Sequence, residues 1–270
     1  MFRFNLTPIV RILLLANVVV YLLQVNFQTS PSITELFSLY PMGSPYYHFW
    51  QFFTYMFLHS PHDWMHIISN MFGLASFGPL LEQRWGGQRF LAFWLMCGVG
   101  AGVLYNGFRT YELRQLETAY QTVLTSPGAG EFSVFMKRVG FKEAAYKDAA
   151  IALQRNPNEP TLRQEVIKNV KELYSEVHDS PNSGMLGASG ALFGVLFAFA
   201  YLFPNTELML LFFPVPIKAK YFVFLYGVYE LYNGVYQAPG DNVAHFAHLG
   251  GLLIGFIIVR YWERNRSQFY

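Results

Sequence analysis

Long apolar runs alternate with polar stretches along this chain. Six of the runs approach the roughly 20 residues that a helix needs to cross a hydrocarbon core. They lie near 8–25, 64–81, 89–107, 185–203, 221–236 and 243–262. A segment in lipid must satisfy its own backbone, so each run is expected to be a helix. Two further apolar pieces do not qualify. The stretch 49–58 is too short and is placed along the interface; 208–216 is interrupted by Pro214 and Pro216 and reads as a shallow or re-entrant loop. The expected fold is an all-α polytopic membrane protein whose six-helix bundle is built from 1–106 and 184–270.

The segment between the third and fourth runs, 107–183, is polar and carries as many acidic as basic residues. A structureless connection of that length is rare, so it is expected to hold helices of its own. Leu162, Val166, Val170, Leu173 and Val177 make a stripe at helical spacing with charged residues between them. A second helix is expected over 131–154 with a break at Gly140, and Asn156-Pro157-Asn158-Glu159-Pro160 supplies the turn. Together these read as a helical hairpin.

Composition supports the membrane reading. Hydrophobic residues make up 53% and charged residues 13% of the 270 positions, against the usual values of about 45–50% and about 25%. The first run ends without a small-residue cleavage site and is expected to be a retained span rather than a signal peptide. The single cysteine, Cys97, excludes an intrachain disulfide. About half of the 19 basic residues fall in 107–183. The others fall at the two termini and in the second-to-third and fourth-to-fifth loops, which share one face of a six-helix protein. The positive-inside rule makes that face cytoplasmic and puts 107–183 outside.

Polar side chains inside such runs are costly and mark function. Ser189 sits in Gly187-Ala188-Ser189-Gly190 at the head of the fourth run, and His248 lies in the sixth. Gly190 and Gly194, like Gly251 and Gly255, have the Gly-x-x-x-Gly spacing that lets two helices approach closely. His248 shares a face with Gly251 and Gly255. If the glycine faces meet, the imidazole reaches the hydroxyl, giving a nucleophile with its base. His66 and Asn70, four residues apart on the second run, are candidate donors to a developing oxyanion. The plainer readings are helix packing for Ser189 and an interhelical hydrogen bond for His66 and Asn70.

His-x-x-x-Asn on the second run, Gly-Ala-Ser-Gly on the fourth and Ala-His-x-x-Gly-x-x-x-Gly on the sixth resemble the rhomboid intramembrane serine proteases. Trp50 in the first external loop and Glu82-x-Arg84-x-Gly86 also match. The resemblance covers the six-helix core but not 107–183. It implies a Ser189–His248 dyad without an acid and an oxyanion site from His66, Asn70 and the Ser189 amide. It also implies substrates that are themselves transmembrane helices, cleaved near the outer interface. Gln51 follows Trp50 where many relatives have Arg, and Phe193 stands where an aromatic, often Tyr, packs on the base.

Several alternatives stay open. His245 precedes His248 by one turn and is not excluded as the base, although a structural role is preferred. Asp241 reads as a solvated loop carboxylate. His59, His62, Asp63 and His66 make a dense cluster, but Pro61 interrupts any common helical face, and no metal is expected there. No cofactor and no nucleic acid is expected, and the partners are transmembrane substrates and membrane lipid. The host is expected to be a bacterial cytoplasmic membrane. A catalytically inactive rhomboid-like protein that holds client helices is the alternative function. A transporter lacks the repeat and the membrane carboxylates, Glu230 being the main exception.

Overall fold

A computed structural model describes residues 5–27, 29–210, 213–236 and 244–264, without the side chains of 209, 210 and 213–215. In chain order the helices are α1 (Pro8–Asn26), α2 (Ile33–Phe37), α3 (Gln51–Thr54), α4 (Trp64–Trp85), α5 (Gly87–Thr125) and α6 (Ala129–Val139). They continue with α7 (Lys147–Arg155), α8 (Pro160–His178), α9 (Ser189–Leu202), α10 (Ala219–Tyr236) and α11 (His245–Glu263). The six expected spans correspond to α1, α4, the first half of α5, α9, α10 and α11, in an all-α membrane bundle.

By length and composition, α1, α5 and α11 qualify to cross a membrane among the described residues. Helix α9 has only 14 residues. It is the centre of the bundle, buried by α4, α5, α10 and α11, so its neighbours rather than lipid cover its apolar surface. Helix α4 turns His66, Ser69, Asn70 and Ser76, and α10 turns Tyr226, Tyr229 and Glu230, to the cleft described below. The outer surface is apolar in keeping with a lipid solvent: Ile12, Leu15 and Leu22 on α1 and Phe224, Leu225 and Val235 on α10 are exposed.

The motif at the end of α4 is structural. The Glu82 carboxylate accepts hydrogen bonds from the backbone N–H groups of Ile9 (3.0 Å) and Val10 (2.9 Å) and from the Thr7 hydroxyl. It therefore neutralises the orphan donors and positive dipole end of α1. Arg84 pairs with Glu263 at 2.7 Å, tying α4 to the end of α11. Gly86 takes φ +82°, a conformation that suits glycine, and turns the chain directly into α5.

Helix α5 departs from expectation. The third run does not end at 107; the helix continues for 39 residues, nearly 60 Å at about 1.5 Å per residue. That is about twice a hydrocarbon core, so its second half projects from the bundle. Leu113, Leu116, Ala119 and Val123 lie on one face of this projection. Phe132, Phe135, Leu153, Val166 and Val170 pack there, forming a second core separate from that of the bundle. The expected hairpin is therefore a small bundle of α6, α7 and α8 on a stem supplied by α5. The 131–154 helix is two helices. The first ends at Gly140 (φ +102°), with Gly140 N–H donating to Lys137 O and Phe141 N–H to Met136 O, the Schellman pattern.

The expected loop over 208–216 is instead an antiparallel hairpin of β1 (Glu207–Leu210) and β2 (Phe213–Lys218), with Glu207 opposite Lys218. Pro214 and Pro216 lack N–H donors, which is tolerated because each strand of a two-stranded hairpin is an edge.

Candidate active site

Ser189 is the first residue of α9 and His248 lies in the first turn of α11. Their helices pack along the two glycine pairs. A Cβ on Gly251 would fall 2.0 Å from the Gly190 carbonyl oxygen, and one on Gly255 would fall 2.9 Å from Gly194 Cα. This approach places His248 Nε2 2.8 Å from Ser189 Oγ. The Phe193 ring, one turn after Ser189, stacks on the imidazole with centroids 4.2 Å apart and planes 8° from parallel.

The chain before Ser189 is fixed from the other side of the bundle. Leu39 and Met185 exchange backbone hydrogen bonds, and Gly187 N–H donates to Tyr55 O at 3.0 Å. Gly187 has φ +127°, and a Cβ there would come within 2.8 Å of His66 Nε2. Glycine thus supplies both the backbone conformation and the room for His66. The Ser189 N–H is one of the N–H groups that a helix start leaves without an intrahelical acceptor.

His66 accepts from Ser60 N–H through Nδ1 at 3.3 Å. In the neutral ring the proton then resides on Nε2, which faces the Gly187–Ser189 segment. Asn70 is buried and donates one amide proton to His66 O at 2.8 Å. All four residues singled out in the sequence line one cleft of about 2260 Å³. The loop leading to His66 is held by Gln24, whose amide exchanges two hydrogen bonds with the His59 backbone. Burial pushes His59 itself down to about 3, with nearby His66 adding to the effect.

Gln51 is fully buried. Its amide oxygen accepts from Tyr40 and His48 N–H and its nitrogen donates to Leu36 and Tyr46 carbonyls. It pins the loop before α3 with four backbone contacts, whereas Trp50 is 39% exposed and stacks on His48.

Glu230 on α10 is the residue that sequence reasoning passed over as a site member. Its Oε2 lies 2.9 Å from His248 Nδ1 and 2.6 Å from His245 Nδ1. The resemblance implies no acid at the base; the structure sets one there. The signal was available, since a lone carboxylate in an apolar helix needs a partner. The imidazole facing Ser189 is that of His248, while His245 shares its carboxylate. Asp241 lies outside the described residues. Among the described residues, Glu230, His245 and His248 form the one group whose ligand atoms converge as a metal site requires. The His59–His66 run does not converge in this way. Two imidazoles and a carboxylate suit zinc, yet both Nδ1 atoms already stand at hydrogen-bond distance from the carboxylate.

The cleft is lined by residues of α4, α5, α9, α10 and α11, together with Val139, Glu176, Val177 and 180–183 from the projecting segment.

The Rhomboid domain family matches residues 46–119 and 167–264. Rhomboid protein 1, mitochondrial, of Saccharomyces cerevisiae is 46% identical over 87 residues, covering 31% of this chain and 25% of that protein. An uncharacterised mitochondrial rhomboid protein of Schizosaccharomyces pombe is 26% identical over 89% of this chain and 57% of its own length. RHOMBOID-like protein 12, mitochondrial, of Arabidopsis thaliana is 25% identical over 75% of this chain and 43% of its own length. The chain thus spans from a quarter to just over half of the length of these relatives.

Proposed function

The chain belongs to the rhomboid family, and on that premise we propose that it is an intramembrane serine endopeptidase that cleaves transmembrane helices of other proteins. The observation carrying this reading is the 2.8 Å contact between His248 Nε2 and Ser189 Oγ at the head of a buried helix. A protein that merely held client helices has no use for that contact.

Ser189 Oγ attacks the scissile carbonyl carbon as its proton passes to His248 Nε2; the same proton then goes to the departing amine. Water completes the second half of the reaction by hydrolysing the acyl-enzyme. On this reading the Ser189 N–H, the His66 Nε2–H and an Asn70 amide proton are the donors to the developing oxyanion. His66 and Asn70 on α4 and Ser189 on α9 open onto the cleft, which gives water and a substrate segment access. A helical substrate enters from the side between α4 and α10, unwinds locally and presents its backbone to Ser189.

The host membrane is better read from the relatives than from the charge pattern. The three named above are mitochondrial, so a mitochondrial membrane is favoured over the bacterial one expected from the sequence. By the positive-inside rule, 107–183 is read as lying on the face opposite the basic loops and termini.

The test is cleavage of a single-span model substrate in liposomes by the wild type and by Ser189→Ala. Loss of cleavage in a folded variant is expected. Wild-type cleavage by Ser189→Ala would end the reading.

A further inference from the structure

We propose that Glu230 is the positioning residue for His248, making the reactive unit a three-residue relay rather than a serine–histidine pair; the inference rests on the proteolytic reading above. Glu230 is 2% exposed in a helix whose outward residues are almost all apolar or tyrosine. It shares one face of α10 with Val223 and Gly234, the face turned inward. Gly234 leaves room for His245, whose Cβ would otherwise meet a side chain at 3.3 Å.

An ionised Glu230 sets the tautomer. A carboxylate oxygen only accepts, so His248 Nδ1 must carry the proton that it shares with Glu230 Oε2 at 2.9 Å. Nε2 is then bare in the neutral ring and accepts from the Ser189 hydroxyl at 2.8 Å. With the opposite tautomer Nε2 would carry a proton and could not take another. When Ser189 Oγ bonds to the carbonyl carbon, its proton moves to Nε2 and the ring becomes a cation with both nitrogens protonated. Glu230 faces that new positive charge from the far side, and the charge disappears when Nε2 gives its proton to the leaving nitrogen. Glu230 itself neither gains nor loses a proton.

His245 completes the device. Its Nδ1–H donates to the same oxygen at 2.6 Å, so the carboxylate is held by two donors from one turn of α11. Phe193 stacks on one face of the His248 ring. Together the two contacts leave the imidazole one orientation.

The test compares Glu230→Gln and Glu230→Asp with wild type in the liposome cleavage assay, alongside Ser189→Ala. Glu230→Gln should lower kcat by about 10²-fold or more, within the range a positioned base contributes, with KM and thermal unfolding unchanged. Glu230→Asp keeps the charge and should recover part of the loss. A Glu230→Gln kcat within twofold of wild type would overturn the proposal while leaving the proteolytic reading intact; cleavage by Ser189→Ala would overturn both. If Glu230→Gln does not fold, ¹⁵N-histidine spectra of the wild-type protein decide. A His248 signal with the proton on Nδ1 supports the relay, and one with the proton on Nε2 refutes it.

Discussion

Gly251 sits against Gly190 so closely that a Cβ on it would lie 2.0 Å from the Gly190 carbonyl oxygen. The contact is with backbone, so no side-chain rotation relieves it. Helix α11 would have to move away from α9, carrying His248 with it. Gly251→Ala is therefore expected to cost about 1–3 kcal/mol or more, the range for overpacking, and to slow reaction of Ser189. Gly227→Ala, where the nearest contact is the Leu252 side chain at 3.4 Å, is the matched control and should be close to neutral. Thermal unfolding in detergent and cleavage rate read both effects.

Gln51 holds the loop that precedes α3 through four backbone partners. Gln51→Ala leaves those groups without it in a buried site, and each unsatisfied group costs about 1–3 kcal/mol. A destabilisation of that order is expected, together with faster proteolytic nicking of 36–50. An unchanged melting temperature and nicking pattern would show that the loop is held elsewhere.

Much of this was legible in the sequence because the rules that govern it are local. Apolar run length gives the spans, and Gly190, Gly194, Gly251 and Gly255 give the close crossing. What escaped depends on three-dimensional partners. Glu230 faces His248 only because α10 and α11 pack with a particular rotation, and no spacing between 230 and 248 encodes that. The extension of α5 to Thr125 was missed because the hydropathy falls at the membrane surface while the helix does not stop. Its stripe of Leu113, Leu116, Ala119 and Val123 was present but pairs with residues far along the chain. The hairpin at 207–218 was hidden by prolines that argue against strands in any larger sheet.

The projecting segment has its own core, so it should be separable from the chemistry. Val170 is fully buried there. Val170→Asp places a carboxylate among apolar side chains, at a cost of several kcal/mol, and should unfold α6–α8. Labelling of Ser189 should persist, while preference among model substrates should change, because Val139 and Val177 in the cleft lining lose their place. An unchanged substrate profile would assign the segment to stability or docking.

His59 makes stability depend on pH. Its ring is held down to about 3 by burial, from an ordinary 6.5. Below pH 6.5 the unfolded chain takes up a proton that the folded ring refuses, so folding stability falls as pH drops from about 6.5 toward about 3. His59→Phe removes that contribution. The melting temperature of the variant should fall less than that of wild type between pH 7 and pH 4.5. Parallel falls would contradict the assignment.

The central claim is that Ser189 is a nucleophile activated by His248. A fluorophosphonate probe applied to the reconstituted protein measures this without knowledge of the substrate. The expected result is covalent labelling at Ser189 in wild type and its loss in a folded His248→Ala variant. Labelling that survives His248→Ala undiminished, or that never occurs at Ser189 in the native protein, would contradict it.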